Sequence, residues 1–278
     1  MLSYRHGYHA ANIADVLKHA TLLASLDWMQ RKEKPFRFID THAGAGHYRL
    51  DHPFAQKTKE ADDGFLKLDA LPASGAPAAI KRLRTAVERY AISFPGHYPG
   101  SPALAATELR AIDRGDFYEL HPSDFETLDG YLGGLRRNVD AHHSDGFEGL
   151  LSCLPAVQKR ALVLIDPSYE MDSDFTRLPK VIREVKARQN NAVVLIWYPV
   201  IYRNQSDNLL KSIRNAWQGS NFHFELQSAP DSSARGMTAN GMLVLNPTYG
   251  LYPALESLGQ YLADNNMVIG FQGEDHTE

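Results

Sequence analysis

The sequence predicts an α/β protein: a mainly parallel β-sheet covered by helices on both faces, with an antiparallel pair at one edge. Two observations carry that prediction. Short apolar runs rich in β-branched and aromatic residues recur along the chain, and stretches of helical periodicity separate them. Near the C-terminus the rhythm changes, because FHFELQ (222–227) and GMLVLNP (241–247) leave room for only a loop between them, and a loop joins antiparallel neighbours.

Taken in order, the chain opens with MLSYRHGYHAANIADVLKH, in which Ile13, Val16, Leu17 and Ala20 make an apolar side and Asn12, Asp15, Lys18 and His19 a polar one. This helix directly precedes the first strand, so its polar stripe can form a pocket wall. Ahead of it, Tyr4, Arg5, His6, Tyr8 and His9 form a basic-aromatic stretch of the kind that stacks bases and touches phosphate. RFID (37–40) is the first strand. Residues 53–97, rich in Ala, Lys and Pro, break the alternation and carry Ile80, Leu83, Val87 and Tyr90 at helical spacing, which reads as a small helical insertion in a single domain of 1–278. Strands then follow at DFYELH (116–121), ALVLI (161–165) and AVVLIWYPV (192–200), the last leading into the amphipathic QSDNLLKSIRNAW. GEDHTE at the end reads as a frayed tail.

Composition narrows the function. A chain of 278 residues with 44% apolar content can bury a full core as one large α/β domain. No apolar run is long enough to span a membrane and the N-terminus has no secretory pattern, so a cytoplasmic protein is expected. Cys153 is the single cysteine, which excludes an internal disulfide or a thiolate cluster, and it reads as a small buried hydrophobe. The twelve histidines include no HExxH and no ligand-spaced carboxylate, so no metal is expected. With a net charge of −4 the global field does not advertise a nucleic-acid partner. The basic runs at Lys81, Arg82, Arg84 and Arg89 and at Arg31, Lys32 and Lys34 read as solvated faces.

In an open α/β sheet, ligands bind beyond the C-terminal ends of the strands, so the loops there are the places to search. The first holds Gly44 and Gly46, which let backbone approach a ligand closely. Glu119 ends the second strand, where a carboxylate can accept from both hydroxyls of a ribose. Asp145 and Gly146 open a later helix, and Asp145 is equally readable as a plain helix cap. DPSYE (166–170) follows a buried strand with an acid, a stiffening proline and a flat aromatic face, which together suit an amine-bearing aromatic ring. An exocyclic amine is a poor nucleophile, because its lone pair is delocalised into the ring. Such a site must accept the amine's hydrogen bonds while holding the ring in line with a methyl donor.

DPSYE resembles the (D/N/S)PP(Y/F) motif of S-adenosylmethionine-dependent amino-methyltransferases. Taken together and in order, MLSYRHGYHAANIADVLKH, FIDTHAGAG, HYPGSPALA, ELHPSD, DGF, DPSYE, LIWYPV and RGMTANGMLVLNP resemble the bacterial 23S ribosomal RNA adenine-N6 methyltransferases of the J type over nearly the whole chain. The resemblance implies a Rossmann-like class I methyltransferase fold with a seven-stranded sheet, S-adenosylmethionine as cofactor, and N6-methylation of a specific adenine in 23S ribosomal RNA, protein-free or partly assembled, by a monomer. It implies that His19, His42, Gly44 and Ser101 line the cofactor pocket, that Glu119 binds the ribose, and that Asp145 and Gly146 meet the adenine end. Asp166 would accept from the target amine and border the cofactor, Pro167 would offer its carbonyl, and Tyr169 would stack on the base. Tyr4 would contact RNA, with Lys18 on the substrate side. Ser168 departs from the pattern, restoring a backbone N–H where the family has a second proline. Two other readings stand beside this one: a catalytically silent RNA-binding or assembly protein, which Ser168 alone favours, and a DNA adenine-N6 methyltransferase, for whose target-recognition domain the chain has little room.

Overall fold

The computed structural model describes residues 6–52, 59–170, 172–232 and 236–277. Its main sheet is built around β1 (Arg37–Asp40), flanked by β4 (Arg114–Tyr118) and β6 (Ala161–Ile165), with β5 (Val139–His142) beyond β4 and β7 (Val193–Val200) beyond β6. These five strands run parallel. Next to β7 the sheet turns antiparallel through β9 (Ala239–Leu245), β8 (Asn221–Gln227) and β10 (Gly270–His276), in that spatial order.

All five residues of β6 are buried, as a strand covered on both faces requires. Alternation divides its side chains between two cores. Leu162 and Leu164 join Phe38 and Phe117 on one face, and Val163 and Ile165 join Ile39 and Ile196 on the other. α1 (Ile13–Met29) and α10 (Leu251–Asp264) cover the first face. The second face is covered by α7 (Gly146–Cys153), α8 (Asp172–Arg188) and α9 (Arg203–Trp217). Cys153 lies in this second core, as its type suggested.

The α/β class expected from the sequence is observed, but the main sheet has eight strands where seven were expected. The additional strand is β10, which contains most of the segment read as a frayed tail. It pairs residue for residue with β8, and Phe271 stacks on Phe224 at 5.7 Å between ring centroids. Its remaining side chains are polar and mostly exposed, a composition that suits an edge and discourages pairing with other chains.

Between β1 and β4 the chain makes a separate hairpin, β2 (His47–Arg49) with β3 (His97–Pro99). The intervening helices are α2 (Glu60–Asp63), α3 (Phe65–Ala70) and α4 (Ala78–Ser93), followed after β3 by α5 (Ser101–Glu108). Ile80, Leu83, Val87 and Tyr90 are buried in α4, as their spacing predicted, while residues 53–58 of the expected insertion lie outside the described residues. The basic run on α4 is only partly a solvated face. Arg84 is buried and donates to the Leu68 carbonyl, and Arg82 pairs with Asp27 and Glu108, so these cations fasten the inserted helices to one another and to the main body. No helix among the described residues is long and apolar enough to cross a membrane.

Candidate active site

A cleft lies over the C-terminal ends of β1, β4 and β6. Of the site residues expected from the sequence, Lys18, His42, Gly44, Ser101, Glu119, Asp145, Gly146, Asp166 and Pro167 all line it. His19 and Tyr169 do not, and Tyr4 lies outside the described residues.

The loop after β1 forms one wall. Gly44 and Gly46 have φ of 61° and 83°, left-handed conformations that glycine adopts without strain. This turn aims the Gly44 N–H at Glu119 Oε2 (2.7 Å), while the His121 N–H donates to Oε1 (2.6 Å). Two backbone donors thus fix the Glu119 carboxylate at the end of β4 and still leave it lone pairs for a ligand. Burial raises its pKa above the ordinary carboxylate value. Close to the same turn, Asp40 is fully buried and accepts from Ser101 Oγ (2.7 Å). Burial, reinforced by nearby Asp166, pushes the Asp40 carboxyl up to about 7. The His42 ring sets its edge against Phe147, and burial lowers its pKa to about 4, so it is neutral at physiological pH.

Asp145 caps α7, accepting from the N–H groups of Phe147 and Glu148. Its oxygens also receive Arg177 in a two-pronged ion pair of 2.6 and 2.8 Å. Burial opposes ionisation of Asp145, but Arg177 outweighs it and the pKa falls below the usual value. The guanidinium lies 4.9 Å from the Phe147 ring centre, within cation–π range. The next residue, Gly146, is there for closeness: a Cβ on it would come within 1.7 Å of the Thr41 carbonyl oxygen.

At the other end, Lys18 projects from α1 between two acids. Its ammonium donates to Asp166 Oδ2 at 2.6 Å and lies 2.9 Å from Asp15 Oδ1. Asp15 in turn is held by the Ala11 N–H at 2.8 Å. Burial alone would lower the Lys18 pKa, yet the two carboxylates raise it, so the group stays cationic. Of the polar stripe of α1 only Lys18 reaches the cleft wall: Asn12 donates to Glu60 and Asp15 is buried behind Lys18.

His19 sits one residue farther along α1 and points into the interior. It is fully buried, with Nδ1 3.0 Å from the Tyr98 hydroxyl, and it supports the β2–β3 hairpin from beneath instead of facing the cleft. Tyr169 also turns inward. At φ 52° the chain reverses, the ring packs on Phe175 and Trp197, and the hydroxyl donates to the Trp197 carbonyl at 2.8 Å. In this structure Tyr169 is a strut tying the DPSYE loop to β7. Ser168, which stands where the family pattern has a second proline, lines the cleft. Asp15, Asp40 and Arg177 belong to the site but were not singled out as site residues from the sequence.

The sequence profile of the RsmJ family, described as "Ribosomal RNA large subunit methyltransferase D, RlmJ", matches residues 33–277. The chain belongs to this family. It is 38% identical over 266 residues to the ribosomal RNA large subunit methyltransferase J of Haemophilus influenzae, covering 94% of this chain and 93% of that one. To the protein of the same name from Escherichia coli K12 it is 37% identical over 264 residues, again covering 94% and 93%. A crystal structure of a Legionella pneumophila protein superposes with a TM-score of 0.84 at 27% identity, over 97% of this chain and 98% of that one. The fold is thus the Rossmann-like methyltransferase type that the strand-end motifs suggested.

Proposed function

We propose that this protein transfers a methyl group from S-adenosylmethionine to N6 of a specific adenine in 23S ribosomal RNA, acting in the cytoplasm on protein-free or partly assembled RNA. Family membership supports methylation of ribosomal RNA. The observation that carries the rest is Asp166, held by a buried ammonium at the end of β6 and sharing one cleft with Glu119 and Asp145.

The cleft suits the cofactor. Glu119, anchored by two backbone donors, has acceptor capacity for ribose hydroxyls. Gly146 lets the start of α7 close against the Thr41 carbonyl, the left-handed Gly44 puts backbone on the cleft wall, and Phe147, Leu120 and neutral His42 provide an apolar margin for a flat ring. Asp145 would accept from the cofactor's adenine once Arg177 yields one of its two contacts. When bound, S-adenosylmethionine supplies an electrophilic methyl group on a sulfonium.

The protein's own residues have the task of presenting the amine. Lys18 engages Asp166 Oδ2, and among the described residues Oδ1 has no hydrogen-bond partner, so it can accept an N–H of the target amine. The Pro167 carbonyl can accept the second. Both contacts orient the nitrogen lone pair and restrict the ring, which is where proximity lowers the barrier. The Lys18 contact fixes the Asp166 side chain in place at the end of β6. The amine loses its proton only after methyl transfer, when the nitrogen has become acidic, and the proton passes by way of the accepting Asp166 Oδ1 to solvent.

Asp166→Asn tests this. Turnover on ribosomal RNA should fall by about 10²–10³-fold, the loss seen when one preorganised polar contact to the reacting group is removed, while cofactor affinity stays close to wild type. A near-normal rate would remove Asp166 from the mechanism. Cofactor binding with no transfer by the unmodified protein would instead favour the silent RNA-binding reading, with Ser168 the first position to revert to proline.

A further inference from the structure

The β2–β3 hairpin sorts its side chains by face. Tyr48 is registered opposite Tyr98 and Arg49 opposite His97, and because successive residues alternate, the two tyrosines point inward and are buried. His47, Arg49 and His97 therefore share the outer face. The His47 and His97 rings lie 5.0 Å apart, and together with Arg49 and His52 they line a second cavity. That cavity adjoins the first, since Tyr48 and Asp124 line both, and Gly7 of the N-terminal block reaches it as well.

We propose that this face of the hairpin docks the phosphate backbone of the RNA strand next to the target adenine. The proposal rests on the reading of the protein as an RNA methyltransferase and adds where the RNA is held. A chain of net charge −4 has no global field to attract a polyanion, so phosphate contacts must be made locally. Here Arg49 meets three histidines at the rim of the cleft; His47 is packed on Tyr90, Phe94 and Tyr131 and burial lowers its pKa, so Arg49 carries the charge. Two acids are also present. Asp124 lines the cavity, and Asp51 makes a paired contact with Arg49 at 2.9 and 2.6 Å. That ion pair is exposed, with the Arg49 side chain 61% accessible, so it is weak and Arg49 can exchange Asp51 for a phosphate at little cost. His97 Nδ1 is taken up by the Pro95 carbonyl and His47 Nδ1 by the Tyr90 hydroxyl, which fixes both rings on the hairpin.

The test uses the full chain carrying Arg49→Ala, Arg49→Glu or Arg49→Glu with His97→Glu, and protein-free 23S ribosomal RNA. Filter binding across a salt series gives RNA affinity, steady-state methyl transfer gives KM and kcat, and calorimetry gives cofactor affinity. Arg49→Glu should raise the RNA Kd and KM by about tenfold or more, with kcat and cofactor affinity within about twofold of wild type, and Arg49→Ala should lower the salt slope by about 1. RNA affinity and salt slope unchanged in all three variants would overturn the proposal, as would an unmodified protein that does not bind the RNA. If RNA binds through Arg49 but no methyl is transferred, the docking face stands and the enzymatic reading falls.

Discussion

Replacing Lys18 with methionine deletes a buried charge while keeping most of the side chain's volume. The ammonium lies 2.6 Å from Asp166 and 2.9 Å from Asp15, and the side chains of Lys18 and Asp15 are only 6% and 1% exposed. With little cavity created, the main effect is two carboxylates left together without a counter-charge. Removing one partner of a buried ion pair destabilises by about 3–5 kcal/mol. With a urea m-value of about 3 kcal/mol/M, the unfolding midpoint should drop by about 1 M or more. The loss should be largest near neutral pH and shrink in acid, because orphaned buried carboxylates hold protons to higher pH than they do unfolded, which makes the variant gain relative stability as pH falls. Asp166→Asn alone should be milder, since Lys18 keeps Asp15, and the double variant should show coupling of at least about 1 kcal/mol. Urea unfolding at several pH values decides the matter. A midpoint shift under about 0.3 M, or strict additivity with Asp166→Asn, would refute the three-residue charge network.

Two further outcomes follow from the same wall of the cleft. Glu119→Ala should weaken cofactor affinity by about 10–100-fold, the range for losing hydrogen bonds to a charged acceptor, and unchanged affinity by calorimetry would show that Glu119 does not hold the ribose. Asp40, raised from 3.8 to about 7 by burial, stays protonated in the folded state over a range where the unfolded chain ionises. Stability should therefore fall by on the order of 4 kcal/mol as pH rises from about 4 to 7, and Asp40→Asn should flatten that part of the profile; a wild-type profile in the variant would contradict the assignment.

The strand ALVLI was legible to the residue because a central parallel strand is buried on both faces and so reads as a continuous apolar run, and RFID was legible from its Phe-Ile pair ahead of the glycine turn. β5 and β10 were not, since VDAH and GFQGEDH are short or polar and are held by a neighbour's backbone, which leaves no side-chain period to detect. The site follows the same logic. Glu119, Asp145 and Asp166 stand at strand ends or helix starts, where position along the chain already implies access to a ligand. Arg177 and Asp40 gain their roles from partners 32 and 61 residues away, a relation that only the folded chain creates. Tyr169 shows the converse: its type was readable from the motif, but a left-handed backbone turned the ring toward Phe175 and Trp197. Arg84 likewise looked like part of a solvated run, and only the packing of α4 on α3 turns it toward the Leu68 carbonyl.

The most direct measurement is methyl transfer from labelled S-adenosylmethionine to protein-free large-subunit ribosomal RNA lacking its own modification, with the RNA digested to nucleosides and the labelled product identified. The unmodified protein should yield N6-methyladenosine as the labelled nucleoside, and Asp166→Asn should lose it. Label in any other nucleoside would contradict the assignment of the cleft to an adenine amine.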